Sequence, residues 1–147
     1  LLPAVEPAYV TAAESNLCHH PGTGAGQTLL VVDDDEDIVG MCKEGFEALG
    51  YQVRSFVSSL DALRFFKKNF KIIDLLITDQ TMPGKTGFDL AREMIAIKAD
   101  LPVILCSGYT GMMNREKLKA AGIQNFVMKP VTVEELSSRV QQLLRCR

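Results

Sequence analysis

From Thr28 onward the chain alternates between two textures: short unbroken apolar runs, and longer stretches in which apolar residues recur at helical spacing. Leu29-Leu30-Val31-Val32 is the first run, ending in acids, as a strand buried on both faces would. Ile38, Met41, Cys42, Phe46 and Leu49 then mark one face of a helix, with Gly50 placed as its left-handed cap. Tyr51–Phe56 reads as a second strand. Ser58 or Ser59 is placed to cap a second helix with an apolar face of Leu60, Leu63 and Phe66, whose wet end carries Lys67, Lys68 and Lys71. Ile72–Thr78 returns to a strand-like run, and Pro102–Cys106 and Asn125–Met128 supply two more. Helices are expected at 87–98, 113–121 and 132–145. The last opens on the capping box Thr132-x-x-Glu135 before Leu136, Val140, Leu143 and Leu144.

Five apolar strands alternating with helices predict a doubly wound α/β domain: parallel neighbours need crossover helices, and right-handed crossovers cover both faces of the sheet. Residues 1–27 differ in texture. Pro3, Pro7, Pro21 and the glycines at 22, 24 and 26 give a linker composition, followed by a domain over 28–147. Cys18-His19-His20 belongs to that polar linker, because three adjacent residues converge poorly on one tetrahedral ion.

Charge and cysteine usage narrow the function. A net charge of −2 provides no positive field for nucleic acid or anionic lipid, so neither is an expected partner. The four cysteines form no Cys-x-x-Cys pair and suit a reducing cytoplasm, where Cys42 and Cys106 act as small hydrophobes. No apolar run approaches the ~20 residues that span a bilayer. The chain opens on Leu1 rather than Met, as a piece of a longer protein would.

In open α/β sheets ligands bind beyond the carboxyl ends of the strands. There the first strand offers Asp33 and Asp34, the third Asp79, the fourth Ser107 and the fifth Lys129. Three carboxylates brought together repel one another, and a hard divalent cation relieves the conflict. Mg²⁺ is the expected ion, with Mn²⁺ a tolerated substitute. Lys129 adds a fixed positive charge to what becomes an anion site. An aspartate can attack phosphorus to form an acyl phosphate, and Asp79 is the candidate, since it enters the turn-rich loop Gln80-Thr81-Met82-Pro83-Gly84. Asp35, Glu36 and Asp37 are left out of the metal site, being explained by the helix dipole. Gly84 and Gly87 are read as turn glycines, because they lack the phosphate-loop pattern.

Four separated motifs, Leu30-Val31-Val32-Asp33-Asp34, Asp79-x-x-Met82-Pro83-Gly84-x-x-Gly87, Ile104-Leu105-Cys106-Ser107-Gly108 and Lys129-Pro130, resemble the receiver domain of two-component response regulators over residues 28–145. The resemblance implies a flavodoxin-like sheet in the order 2-1-3-4-5. It makes Asp79 the phosphoacceptor, served by a phosphohistidine on a histidine kinase or histidine phosphotransfer domain. The metal ligands would be Asp33, Asp34, Asp79 and the backbone carbonyl of Thr81, while Ser107 and Lys129 would bind phosphoryl oxygens. The Lys129-Pro130 bond is expected to be cis. Ser107 and Phe126 occupy the switch positions, but Phe126 lacks the hydroxyl of the tyrosine often found there. Tyr109 is placed to shield the acyl phosphate from water. Such a domain catalyses its own phosphorylation and slow dephosphorylation rather than turning over many substrates.

Leu1-Leu2-Pro3-Ala4-Val5-Glu6 looks like the exit of a histidine-kinase ATP-binding domain, and Thr78-Asp79-Gln80-Thr81-Met82-Pro83-Gly84 is similar to receivers that end hybrid sensor kinases. A free-standing regulator is the alternative origin. Little sequence remains after the last helix for an effector domain, and pairing of two copies through the last two helices is open. Met112 and Met113 suit either a partner surface or ordinary packing. An aspartyl phosphatase is the competing enzyme, but it would need an acid two residues after its nucleophile, where this chain has Thr81.

Overall fold

In the computed structural model, residues 26–108, 115–123 and 125–145 are described. The strands are β1 (Thr28–Val32), β2 (Gln52–Phe56), β3 (Leu75–Asp79), β4 (Val103–Ser107) and β5 (Asn125–Met128). They alternate with α1 (Glu36–Ala48), α2 (Ser59–Asn69), α3 (Gly87–Ile97), α4 (Arg115–Ala120) and α5 (Val133–Arg145). All strand pairs are parallel, in the order β2-β1-β3-β4-β5, as expected.

The period-two alternation of strand side chains divides the core in two. Leu30, Val32, Leu76, Val103 and Leu105 face α2, α3 and α4. On the opposite face, Leu29, Val31, Leu75, Ile77, Ile104, Cys106 and Val127 meet Cys42 and Phe46 of α1 and Leu136 and Val140 of α5. Burial on both faces explains why β1, β3 and β4 read as unbroken apolar runs. Each fully buried Leu, Ile or Phe of these layers contributes about 1.5–3 kcal/mol.

Local chemistry sets the helix ends. Asp35, Ser58 and Thr86 cap α1, α2 and α3 by accepting the amides of Asp37, Asp61 and Asp89. The α5 box forms through the Glu135 amide, which donates to the Thr132 hydroxyl at 3.1 Å. After α1 the chain turns at Gly50, φ 97°. The Gly50 amide donates to the Glu47 carbonyl and the Tyr51 amide to the Phe46 carbonyl. This is a Schellman cap, with the rings of Phe46 and Tyr51 meeting edge to face at 5.7 Å. Gly122 repeats the arrangement after α4, where Leu118 and Ile123 are the buried pair.

Several expectations need correction. The third strand begins at Leu75 rather than Ile72, because Phe70–Ile72 forms a 3-10 turn that leaves Ile72 half exposed. That turn brings Asp74 under β1, where its carboxylate accepts the Thr28 amide at 2.8 Å. Tyr51 belongs to the α1 cap, so the second strand begins at Gln52. Met41 and Leu60, counted on the apolar helix faces, are 46% and 51% exposed, and Val39 and Ala62 are buried instead. The start of the fourth helix at 113, Met112, Met113, Tyr109, Cys18-His19-His20 and all but the last two residues of the expected linker lie outside the described residues.

Candidate functional site

β1 and β3 are neighbours in the sheet and stop level with each other, so their carboxyl ends deliver acids to one place. One carboxylate oxygen from each of Asp33, Asp34 and Asp79 lies within 4.8 Å of the others. Asp33 and Asp79 are buried, whereas Asp34 is exposed and closes the solvent side. Directly after β5, the Lys129 ammonium reaches Asp79 Oδ1 at 2.8 Å and Asp33 Oδ2 at 3.2 Å. Four residues predicted from the strand ends therefore meet.

Charge is unevenly settled within this group. Burial raises the pKa of Asp33; the Asp35 amide, donating to Asp33 Oδ1 at 3.0 Å, lowers it, the charge of Asp79 raises it and Lys129 lowers it. The net shift is upward. For Lys129, burial disfavours the ammonium, but the bond to Asp79 and the charge and bond of Asp33 outweigh it and raise the pKa. One ammonium thus answers two buried carboxylates and leaves Asp34 without a share of it. A clustered set of hard oxygen donors, with one member still pushed toward neutrality, fits a divalent cation such as Mg²⁺.

The other predicted residues fall around this centre. Ser107 is buried at the end of β4, and its carbonyl accepts the Lys129 amide at 2.8 Å, which sets β5 against β4 beside the acids. Lys129-Pro130 is cis. Thr81 is exposed in the loop after β3, so no carboxyl stands two residues after Asp79, as an aspartyl phosphatase would require. Phe126 pairs in register with Leu105 and rests, half-buried, against the core layer of α2, α3 and α4. Asp35 caps α1 and buttresses Asp33 through its backbone.

Two residues matter for reasons the pattern did not give. Gly87 is no turn glycine: a Cβ there would overlap the Asp79 carbonyl oxygen and lie 2.8 Å from its carbon and 2.9 Å from Leu105 Cδ1. The first turn of α3 is pressed onto the backbone of Asp79. Gly84, with φ 81° and open space around it, is the true turn glycine. Gln80, unremarked as a loop polar residue, accepts the Gly87 amide at its backbone carbonyl (3.0 Å) and the Phe88 amide at its side-chain Oε1 (2.8 Å). Its position directly after the candidate acceptor was the available signal.

Comparison with known proteins agrees with this geometry. The model of the response regulator receiver domain matches residues 29–141. The response regulator SaeR of Staphylococcus aureus is 34% identical over 116 residues, covering 79% of this chain and 50% of SaeR, so the chain spans about half the length of the curated relatives it matches. A receiver domain protein from Clostridium thermocellum superposes with a TM-score of 0.76 at 32% identity, covering 82% of this chain and 95% of that one. TrrA of Thermotoga maritima, solved in complex with Mg²⁺-BeF, gives 0.69 at 33% identity, covering 80% and 99%. Fold, strand order and sequence agree: the chain belongs to the response regulator receiver domain family.

Proposed function

We propose that Asp79 accepts a phosphoryl group from a phosphohistidine on a histidine kinase or histidine phosphotransfer domain. The observation that carries this reading is the meeting of Asp33, Asp34 and Asp79 with the Lys129 ammonium at the ends of three strands. A carboxylate oxygen of Asp79 forms the new bond to phosphorus as the nitrogen–phosphorus bond of the donor breaks, and the departing imidazole keeps the electron pair and is protonated.

Asp33, Asp34, Asp79 and the Thr81 carbonyl are the residues that would hold Mg²⁺. Bound there, the ion supplies neutralisation and alignment of the phosphoryl oxygens, which is most of what phosphoryl transfer needs. Lys129 orients the Asp79 carboxylate before transfer, then pairs with the phosphoryl charge that replaces the carboxylate charge. Ser107, beside Lys129, would take a second phosphoryl oxygen. Phosphorylation is then read out by repacking of Phe126 against the α2–α4 layer, without a tyrosine hydroxyl to bond. Residues 1–27 would serve as the tether to an upstream module.

Reductive trapping tests the assignment. After exposure to a small acyl phosphate with Mg²⁺, borohydride should convert the acyl phosphate to homoserine at position 79, located by peptide mass spectrometry. Homoserine at 33 or 34 instead would move the acceptor, and none anywhere would refute the reading.

A further inference from the structure

Gln80 ties three elements together at the point where phosphoryl chemistry would occur. Its amide donates to the Cys106 carbonyl at 2.8 Å, continuing the β3–β4 ladder past Asp79. Its carbonyl accepts the Gly87 amide, and its Oε1 accepts the Phe88 amide, so two of the free N–H groups at the start of α3 end on this one residue. The segment 81–86, which includes Thr81, is a loop whose base Gln80 closes, while Lys85 within it pairs with Glu93 of α3. Thr86 serves a different donor, the Asp89 amide.

Gly87 makes a second contact with the acceptor strand. The backbone of α3 lies so close to the Asp79 carbonyl that no side chain fits between them. A shift of the α3 terminus is therefore transmitted to the backbone of Asp79, and one of the bonds that fix this terminus, beside the Gly87 amide to the Gln80 carbonyl and the Thr86 cap, runs from Phe88 to the Gln80 side chain. The Phe88 ring is buried and carries the cations of Arg92 at 5.7 Å and Lys117 at 5.0 Å. Those contacts orient the ring and leave its amide to Gln80.

We propose that Gln80 is a positioning residue: by accepting the Phe88 amide it locks the base of loop 81–86 and holds Asp79 in register with Asp33 and Asp34 for cation binding and phosphorylation. This rests on the reading of Asp79 as acceptor. The side chain does not touch the reacting atoms; it acts through α3. Loss of the bond raises the cost of gathering the acids around a cation, because the loop and the Asp79 backbone must then be ordered at the moment of binding.

The test compares Gln80→Met, which keeps the length and removes the acceptor, with Gln80→Glu, which keeps both length and acceptor. Amide exchange at Phe88 in the metal-free protein, Mg²⁺ affinity by calorimetry and the rate of labelling by a small acyl phosphate are measured for each. Gln80→Met should expose the Phe88 amide, weaken Mg²⁺ binding on the order of tenfold, the equilibrium equivalent of one net hydrogen bond, and slow labelling. Gln80→Glu should restore protection at Phe88 and bind Mg²⁺ at least as tightly as wild type. If Gln80→Met does not fold, Gln80→Asn, one methylene too short to reach, is measured in its place. Wild-type Mg²⁺ affinity and labelling in a variant whose Phe88 amide is exposed would overturn the proposal and reduce the bond to a helix cap. Absence of labelling in the wild type would instead refute Asp79 as acceptor, and the calorimetric comparison would still decide the role of Gln80.

Discussion

Gly87 and the carbonyl of Asp79 are packed so closely that even a methyl group at position 87 has no place to go. The obstructing atoms are backbone, which cannot rotate aside. Gly87→Ala should therefore cost at least the upper end of the roughly 1–3 kcal/mol typical of overpacking, and the protein that remains folded should lose phosphorylation, since the displaced group is the proposed acceptor. Gly84→Ala is the control. Its positive φ stands in open space, so the loss should be about 1 kcal/mol with labelling retained. Urea denaturation and labelling rates check both.

Lys129 competes with any cation for the same carboxylates. In Lys129→Met, Asp33 and Asp79 face each other without their ammonium, and the metal-free protein should lose about 3 kcal/mol, the lower end for breaking a buried pair. Mg²⁺ should bind several-fold more tightly and raise Tm by more than in wild type. Labelling should nevertheless slow, because Lys129 is the proposed positive partner of the phosphoryl group. Thermal scans across a Mg²⁺ series test the first pair of effects and mass spectrometry the last.

Two buried thiols, Cys42 and Cys106, give a pH signature. Burial pushes Cys42 up to about 11 and Cys106 up to about 12, from an ordinary value of 9.0. Both should resist alkylation at pH 8 in the folded protein and react once urea unfolds it, as peptide mapping will show. Because the folded values are raised, the native state holds these protons more tightly than the unfolded chain. Their contribution to stability is complete below pH 9 and is lost as pH rises through 11 to 12, so the urea midpoint should fall over that alkaline window.

α1 and α5 approach closely at Gly45, where a Cβ would lie 2.6 Å from Val133 Cγ1. Here the obstacle is a side chain rather than backbone. Gly45→Ala should destabilise in the wild-type background and cost less when combined with Val133→Ala, giving a coupling of about 1 kcal/mol in a double-mutant cycle.

The contrast between Gly45, Gly84 and Gly87 shows where the sequence was legible. Strand ends such as Asp33, Asp79 and Lys129 stood out because a polar residue after an apolar run has no packing reason to be there. Their convergence followed from parallel topology alone. Gly87 was misread because sequence spacing cannot distinguish a glycine needed for its φ from one needed for its missing Cβ. Met41 and Leu60 were misassigned because an apolar stripe fixes a helix face only to within one residue, and Val39 and Ala62 fit the same stripe. Gln80 gave no periodic signal, since its role depends on where α3 returns to the sheet.

Intact mass measured after treatment with a small acyl phosphate, with and without Mg²⁺, for wild type and Asp79→Asn, decides whether Asp79 is the metal-dependent acceptor. One added phosphoryl group is predicted on wild type in Mg²⁺ only, and none on Asp79→Asn. Equal labelling of the variant, or labelling of wild type undiminished by chelation of the metal, would contradict the account.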